Sequence, residues 1–297
     1  MDGRDSAAAR LRRLLAEPRL HVMPCCFDAL SARLVERAGF ALSFMSGFAV
    51  SATRLAAPDT GLISYGEMLD QGRGICRAVG IPVIGDADTG YGNPMNVRRT
   101  VEGYAQAGFA GAMIEDQVAP KRCGHTRGKQ VVTRAEARLR IRAAVDAREA
   151  GADLLIMART DARAGHGLSE ALERCRLFAD LGADILFLEA PQSESELEAF
   201  CAAFPALPKM VNLVEDGDTP NLPHARLEAM GFRIAAYPLT LLSSAVRAMQ
   251  ESLAALAAGQ PAPRRLDFAT LQAIVGFPAY DAALRRYAAF ERGGDAD

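Results

Sequence analysis

The sequence predicts a closed (β/α)8 TIM barrel of the α/β class with extra C-terminal helices, and three observations predict it. First, one punctuation recurs. A helix-like stretch ends in glycine and an apolar strand follows at once, as in "VERAGFALSFMSG", "ICRAVGIPVIGDAD", "YAQAGFAGAMIED", "AREAGADLLIMARTD", "FADLGADILFLEA" and "LEAMGFRIAAYP". Gly39, Gly80, Gly108, Gly151, Gly182 and Gly231 stand at the junctions, where glycine readily takes the left-handed cap. Second, helix starts are marked. Ser64…Glu67, Thr133…Glu136 and Ser193…Glu196 fit capping boxes, and Asn93-Pro94 fits an N-cap followed by proline. Third, eight alternating units fall in about 240 residues, which suits a barrel closed on itself.

In chain order the strands are expected near 21–25, 42–46, 82–86, 111–115, 154–159, 185–189, 209–213 and 233–237. A helix candidate follows each. The chain reads as a single barrel domain over 1–297, with 260–297 as a C-terminal helical extension. That tail, "RRLDFATLQAIVGFPAYDAALRRYAAF", reads as two amphipathic helices, which need a surface to pack on, such as a partner subunit. The alternative, an open doubly wound sheet, needs a glycine-rich phosphate turn after its first strand, and "MPCCFDALSA" is not one.

Composition narrows the function classes. Half of the 297 residues are hydrophobic, enough for a large core, and the net charge is −2. No basic excess points to nucleic acid or an anionic membrane. No apolar run approaches a membrane span, and "MDGRDSAAARLRRLLAEPRL" lacks the core of a signal peptide, so a cytoplasmic location is expected. Six cysteines, at 25, 26, 76, 123, 175 and 201, form no CxxC pair and no zinc spacing. Five read as reduced core filler. Cys123 differs: "PKRCGH" at 120–125 sets it among cations, as a reactive thiol requires. Gly124, Gly128 and five nearby cations make this stretch read as a loop.

Chemistry in such barrels sits at the C-terminal ends of the strands. Those ends read Ser46-Gly47, Asp86 and Asp88, Glu115 and Asp116, Arg159 and Asp161, Glu189 and Asn212. Any one could be a strand-end cap, but six ends doing so together converge on one mouth. Gathered carboxylates repel one another unless a cation sits among them, and an all-oxygen set selects Mg2+ or Mn2+ over zinc. "GDADTGYGNP" supplies two carboxylates at i and i+2, and "APDTGL" adds Asp59 as a candidate outer ligand; each alone could equally be a turn. A buried Arg159 needs an anion, either Glu189 or a substrate carboxylate. "GHGLS" at 165–169 reads as a loop with a solvated histidine.

The stretches "MSGFAVSA", "PDTGL", "GDADTGYGN", "NVRRTVEGYAQAGFAGAMIEDQ", "PKRCGH", "GKQVV", "IRAAVDA", "ARTDA" and "YPL", in order over roughly 22–240, resemble the isocitrate lyase/phosphoenolpyruvate mutase superfamily. The chain is similar to methylisocitrate lyases. "VMPCCFDALSA" and "RGKQVV" bring it closer to the carboxyvinyl-carboxyphosphonate phosphorylmutase branch, which includes the petal death protein. The resemblance implies a barrel whose last helix is exchanged between subunits, in a homotetramer. It implies Mg2+ held by Asp88, with Asp59, Asp86 and Glu115 in its water shell. Ser46 and Gly47 would bind the 2-oxo acid portion. Arg159, Glu189 and Asn212 would hold substrate oxygens, and Gly124 and His125 a second carboxylate. Cys123 would protonate the departing carbanion, and Lys121 would take part in catalysis.

The activity so implied is Mg2+-dependent carbon–carbon cleavage of a 2-hydroxy di- or tricarboxylate. Candidates are a 2-alkylmalate, 2,3-dimethylmalate or 2-methylisocitrate. Oxaloacetate hydrolysis or decarboxylation is the alternative in the same site. A P–C mutase is disfavoured, because that subgroup lacks the cysteine loop. One departure stands out. Methylisocitrate lyases carry tyrosine where this chain has Phe44, which leaves the general base open among a metal-bound water, Lys121 or another residue.

Overall fold

The computed structural model describes residues 5–123, 128–215 and 217–293. The chain divides into two compact units, one ending at Ser243 and one beginning at Ser244.

The first unit holds a closed barrel of eight parallel strands in sequential order. The strands are β1 (His21–Cys26), β2 (Ser43–Met45), β3 (Val83–Asp86), β4 (Gly111–Glu115), β5 (Leu155–Thr160), β6 (Ile185–Leu188), β7 (Lys209–Asn212) and β8 (Ile234–Tyr237). β1 closes on β8 with His21 opposite Ile234 and Pro24 opposite Tyr237. Each expected strand is therefore present, with its ends within one residue of the expectation. The helices between them are α2 (Ala29–Arg37), α3 (Gly47–Leu55), α4 (Tyr65–Ala78), α5 (Pro94–Ala107), α6 (Arg134–Glu149), α7 (Ala162–Asp180), α8 (Glu194–Ala203) and α9 (His224–Met230). No helix among the described residues is long and apolar enough to cross a membrane.

A helix not anticipated from the sequence, α1 (Ala7–Ala16), precedes the first strand. Ser6 accepts from the Ala9 N–H to cap it. Ala8, Leu11 and Leu15 are buried in the same cluster as the inward residues Met23, Phe44, Ile84, Met113, Met157 and Met210. Leu11 is fully buried, which is worth about 1.5–3 kcal/mol. A second apolar layer lies between the strands and the surrounding helices. There Tyr104 of α5 stacks on Phe109 with ring centroids 4.6 Å apart.

The punctuation holds with instructive exceptions. Gly39, Gly108, Gly151, Gly182 and Gly231 take positive φ as expected. Gly80 does not: α4 ends on an extended Val79, and the Gly80 N–H instead donates to Glu36 Oε1 at 2.7 Å. Ser64 and Glu67 form the full capping box, and Asn93 caps α5 with Asn96 returning the bond. Thr133 and Ser193 cap their helices, but Glu136 pairs with Arg140 and Glu196 with Arg163, so neither box closes. Residues 165–169 are not a free loop. They lie within α7, which breaks at Gly167 (φ 82°).

The second unit carries the rest of α10 (Thr240–Ala257) with α11 (Phe268–Val275) and α12 (Phe277–Gly293). Asp267 caps α11, and Gly276 at φ 104° separates the last two helices. Their apolar side chains are exposed: Phe268 by 72%, Tyr287 by 69% and Phe290 by 85%.

Candidate active site

The C-terminal ends of β2, β3, β5, β6, β7 and β8 line one cavity. Ser46, Asp59, Asp86, Lys121, Cys123, Arg159, Glu189 and Asn212 border it, with Phe44, Phe48, Val214, Pro238 and Leu239 as apolar wall. The expected residues from six separate strands and loops are thus brought to one place.

β3 delivers Asp86 as its last residue, and both of its oxygens hold backbone. Oδ2 accepts from the Gly47 N–H at 3.2 Å, and Oδ1 from the Asp88 N–H at 3.1 Å. The Tyr104 hydroxyl donates to the Asp86 carbonyl at 2.7 Å. Asp88 sits in the left-handed region, φ 48°, a conformation uncommon for residues other than glycine but more open to Asp and Asn than to most. Gly47 is needed for close approach: a Cβ there would stand 2.5 Å from Asp86 Oδ2. Ser46 caps α3 by accepting from the Ala49 N–H at 3.3 Å, so the start of this helix lies beside the cavity.

Lys121 enters from the loop after β4. Its Nζ lies 2.6 Å from Asp59 Oδ1 and 2.8 Å from Asp88 Oδ1, and all three side chains are 5% exposed. Arg159 is ringed by three carboxylates. Nε contacts Asp161 Oδ2 at 2.8 Å and Glu115 Oε2 at 3.2 Å, and Nη2 contacts Glu189 Oε2 at 3.1 Å. Asp161 also takes Lys129 Nζ at 3.1 Å.

Six buried carboxylates (Asp59, Asp86, Asp88, Glu115, Asp161 and Glu189) thus face three cations, Lys121, Lys129 and Arg159. Three of them bind their protons more tightly than usual, chiefly because they are buried. Asp86 is pushed up to about 6, by burial and then by the charge of Asp88. Burial lifts Asp59 as well, against the pull of Lys121. It holds Glu115 well above the usual carboxylate range in spite of Arg159. Burial alone would lower the Lys121 ammonium, but Asp88, Asp86, Asp59 and Glu115 outweigh it and hold its pKa well above the ordinary value. Lys121 is therefore a firm cation here.

Among the described residues no three His, Cys, Asp or Glu side chains close on one point as a ready-made metal cage. Mg2+ needs no such cage, because it keeps several waters and takes only one or two carboxylates directly. Other observations fit a divalent ion. Glu115 Oε1 is buried with no hydrogen-bond partner among the described residues, and the cluster carries excess negative charge on hard oxygen donors. Asp86 holds backbone through both oxygens, and Asp59, Asp88 and Glu115 are the neighbouring carboxylates that could hold such an ion.

Several sequence-level candidates part company. Asp116 turns away from the cavity. Its Oδ2 accepts from Thr160 Oγ1 at 2.7 Å and Arg174 Nη1 at 3.1 Å, and its Oδ1 from the Asp161 N–H at 2.9 Å. Gly124 and His125 lie outside the described residues. Lys129, one of the cations of the cysteine loop, is the buried partner of Asp161, a role that its place in "GKQ" does not announce.

The family model for phosphoenolpyruvate phosphomutase matches residues 11–257. The chain belongs to the phosphoenolpyruvate mutase/isocitrate lyase superfamily. This superfamily member is 43% identical over 251 residues to the 2,3-dimethylmalate lyase of Eubacterium barkeri, covering 84% of this chain and 86% of that one. A solved oxaloacetate acetylhydrolase bound to the inhibitor 3,3-difluorooxalacetate superposes with a TM-score of 0.89 at 37% identity, covering 98% of each chain. A phosphonopyruvate hydrolase solved with oxalate and Mg2+ superposes with a TM-score of 0.85 at 29% identity, covering 96% of this chain and all of that one. The superfamily member described here is an enzyme on the carbon–carbon lyase side of that group.

Proposed function

We propose that the protein is a Mg2+-dependent lyase that splits a 2-hydroxy di- or tricarboxylate, of the 2-alkylmalate, 2,3-dimethylmalate or 2-methylisocitrate type, into a 2-oxo acid such as pyruvate and a carboxylate. Mn2+ would serve in place of Mg2+. One observation carries the reading: Cys123 borders the same cavity as the carboxylate–lysine cluster and Arg159. Proton donor, charge clamp and metal-type donors thus share one space.

Asp88, with Asp59 and Glu115 beside it, would hold the ion, which supplies Lewis-acid polarisation of the substrate oxygens when bound. The start of α3 at Ser46 and Gly47 receives the 2-oxo acid end, as helix N-termini favour anions. Arg159 and Asn212 orient the substrate carboxylate, and the Arg159 guanidinium opposes the negative charge that grows as the bond breaks. Phe44 places no phenol in the cavity, so the hydroxyl proton passes to another group there, a carboxylate of the cluster or Lys121. Cys123 then gives a proton to the carbanion that leaves. Asp86 acts on structure, by fixing the backbone at Gly47 and Asp88.

The second reading, oxaloacetate hydrolysis or decarboxylation, is favoured by the likeness to the oxaloacetate acetylhydrolase over nearly the whole chain. One experiment separates them. Purified protein with Mg2+ is offered 2,3-dimethylmalate, 2-alkylmalates, methylisocitrate and oxaloacetate, and pyruvate, other 2-oxo acids, acetate and oxalate are measured together. Release of a 2-oxo acid from a malate supports the lyase. Oxalate and acetate from oxaloacetate alone would replace it with the hydrolase.

The same reading has the chain act as a homotetramer, a dimer of helix-swapped dimers. The exposed Phe268, Tyr287 and Phe290 on α11 and α12 support it. Light scattering on the full chain tests the assembly, and a monomer would end it.

A further inference from the structure

The loop that carries Lys121 and Cys123 leaves the barrel just after β4, and its stem is built around Gln117. The Gln117 backbone bridges Val131 on the returning chain, and its neighbours Val118 and Val132 bond to Gln130 and Asp116 across the stem. Its carbonyl accepts from Arg140 Nη1 at 2.6 Å. The side chain is 1% exposed, so its amide has no water to satisfy it. It grips one residue from both sides: Oε1 accepts from the Arg122 N–H at 2.9 Å, and Nε2 donates to the Arg122 carbonyl at 2.8 Å.

Arg122 stands between the two residues that matter. Pinning the Arg122 backbone fixes the chain on either side of it, and with it where the Lys121 and Cys123 side chains leave the loop. Lys121 and Cys123 both border the cavity, while the Arg122 side chain is exposed. The clamp is amide on amide, and neither half can be kept by an apolar side chain. Left without Arg122, the buried Gln117 amide would itself lack partners.

We infer that Gln117 is a positioning residue, whose side-chain amide holds the Arg122 backbone so that the Lys121 ammonium reaches the carboxylate cluster and the Cys123 thiol faces the substrate. The inference rests on the reading of Cys123 as proton donor for its effect on rate, but not for its effect on the thiol's placement.

The test compares the full-length protein with Gln117→Met, which keeps volume and removes both hydrogen bonds. Two measurements are made with Mg2+ present: steady-state turnover of the best substrate from the product assay, and iodoacetamide alkylation of Cys123, followed by intact mass against a Cys123→Ser background. Expected for Q117M are a kcat lowered at least tenfold, a KM within threefold of wild type, and a Cys123 alkylation rate changed at least fivefold, in a protein that remains folded by circular dichroism. Wild-type kcat together with an unchanged alkylation rate would overturn the inference. If Q117M does not fold, Gln117→Glu, which keeps the acceptor for the Arg122 N–H and loses the donor, carries the same comparison. A Cys123→Ser protein with full turnover would remove the proton-donor role, and the alkylation comparison would still decide the clamp.

Discussion

Lys121 Nζ lies 2.8 Å from Asp88 Oδ1, so a residue of the cysteine loop neutralises a carboxylate delivered by the loop after β3. Asp59, at 2.6 Å, completes the contact. This ammonium is what keeps two buried acids together before any metal arrives. Removing one partner of a buried pair costs about 3–5 kcal/mol. Lys121→Met is expected to destabilise the metal-free protein by that order, and Mg2+ should raise its melting temperature more than it raises that of wild type. Thermal melts with EDTA and with Mg2+ check this, and equal Mg2+ shifts would contradict it.

Chelation should abolish turnover, and Mg2+ or Mn2+ should restore it. Asp59→Asn should weaken Mg2+ by about 10–100-fold, as loss of an outer-shell partner does. Asp88→Asn should weaken it more. Calorimetric titration of Mg2+ into EDTA-stripped protein gives the ranking, and an Asp88→Asn protein with wild-type affinity would remove that residue from the site.

Cys123→Ser should lower kcat by about 10²–10⁴, the usual worth of a positioned proton donor, with Mg2+ affinity unchanged. Pre-steady-state and steady-state product formation measure it. Near-normal turnover would take the thiol out of the mechanism.

Gly47→Ala would place a methyl 2.5 Å from Asp86 Oδ2, with Asp86 held in place by two backbone bonds. Overpacking of this kind costs about 1–3 kcal/mol. The variant should melt at lower temperature and also lose activity, because the Asp86 that moves is the one that orients Gly47 and Asp88. Urea denaturation with a parallel activity assay would show whether the two losses come together.

Glu170 is held down to about 2 by Arg134 and then Arg174, against some burial. A depressed carboxyl contributes stability that is fully present above its unfolded pKa and lost as pH falls through the folded one. The side chain is partly exposed, so the contribution is about 0.2–1 kcal/mol after screening. Glu170→Gln should therefore be less stable than wild type at pH 7, with the gap shrinking between about pH 4 and pH 2. Urea midpoints at pH 7 and pH 3 test the sign, and a gap that widens on acidification refutes it.

Much of this protein was legible in one dimension. Eight apolar segments alternating with helix candidates, six of them preceded by a marked glycine, point to a parallel barrel, and five of those six glycines take the left-handed cap. The polar residues at the strand ends were legible for the same reason, since topology alone sends them to one mouth. The leucines of α1 were visible at helical spacing too, but an N-terminus crowded with charge hid their purpose.

What only the tertiary structure decided is how the charges are shared. Side-chain direction at the close of a strand depends on packing, and adjacent acids such as Glu115 and Asp116 part to opposite sides. Glu115 faces Arg159, and Asp116 faces Thr160 and Arg174. Gln117, Lys129 and Asp161 acquire meaning only through partners 5, 32 and 2 residues away, and no local pattern announces which donor will meet which acceptor. Sequence periodicity encodes burial and hence the fold. Hydrogen bonds and ion pairs are short-ranged and directional, so the site's wiring exists only once the chain has closed.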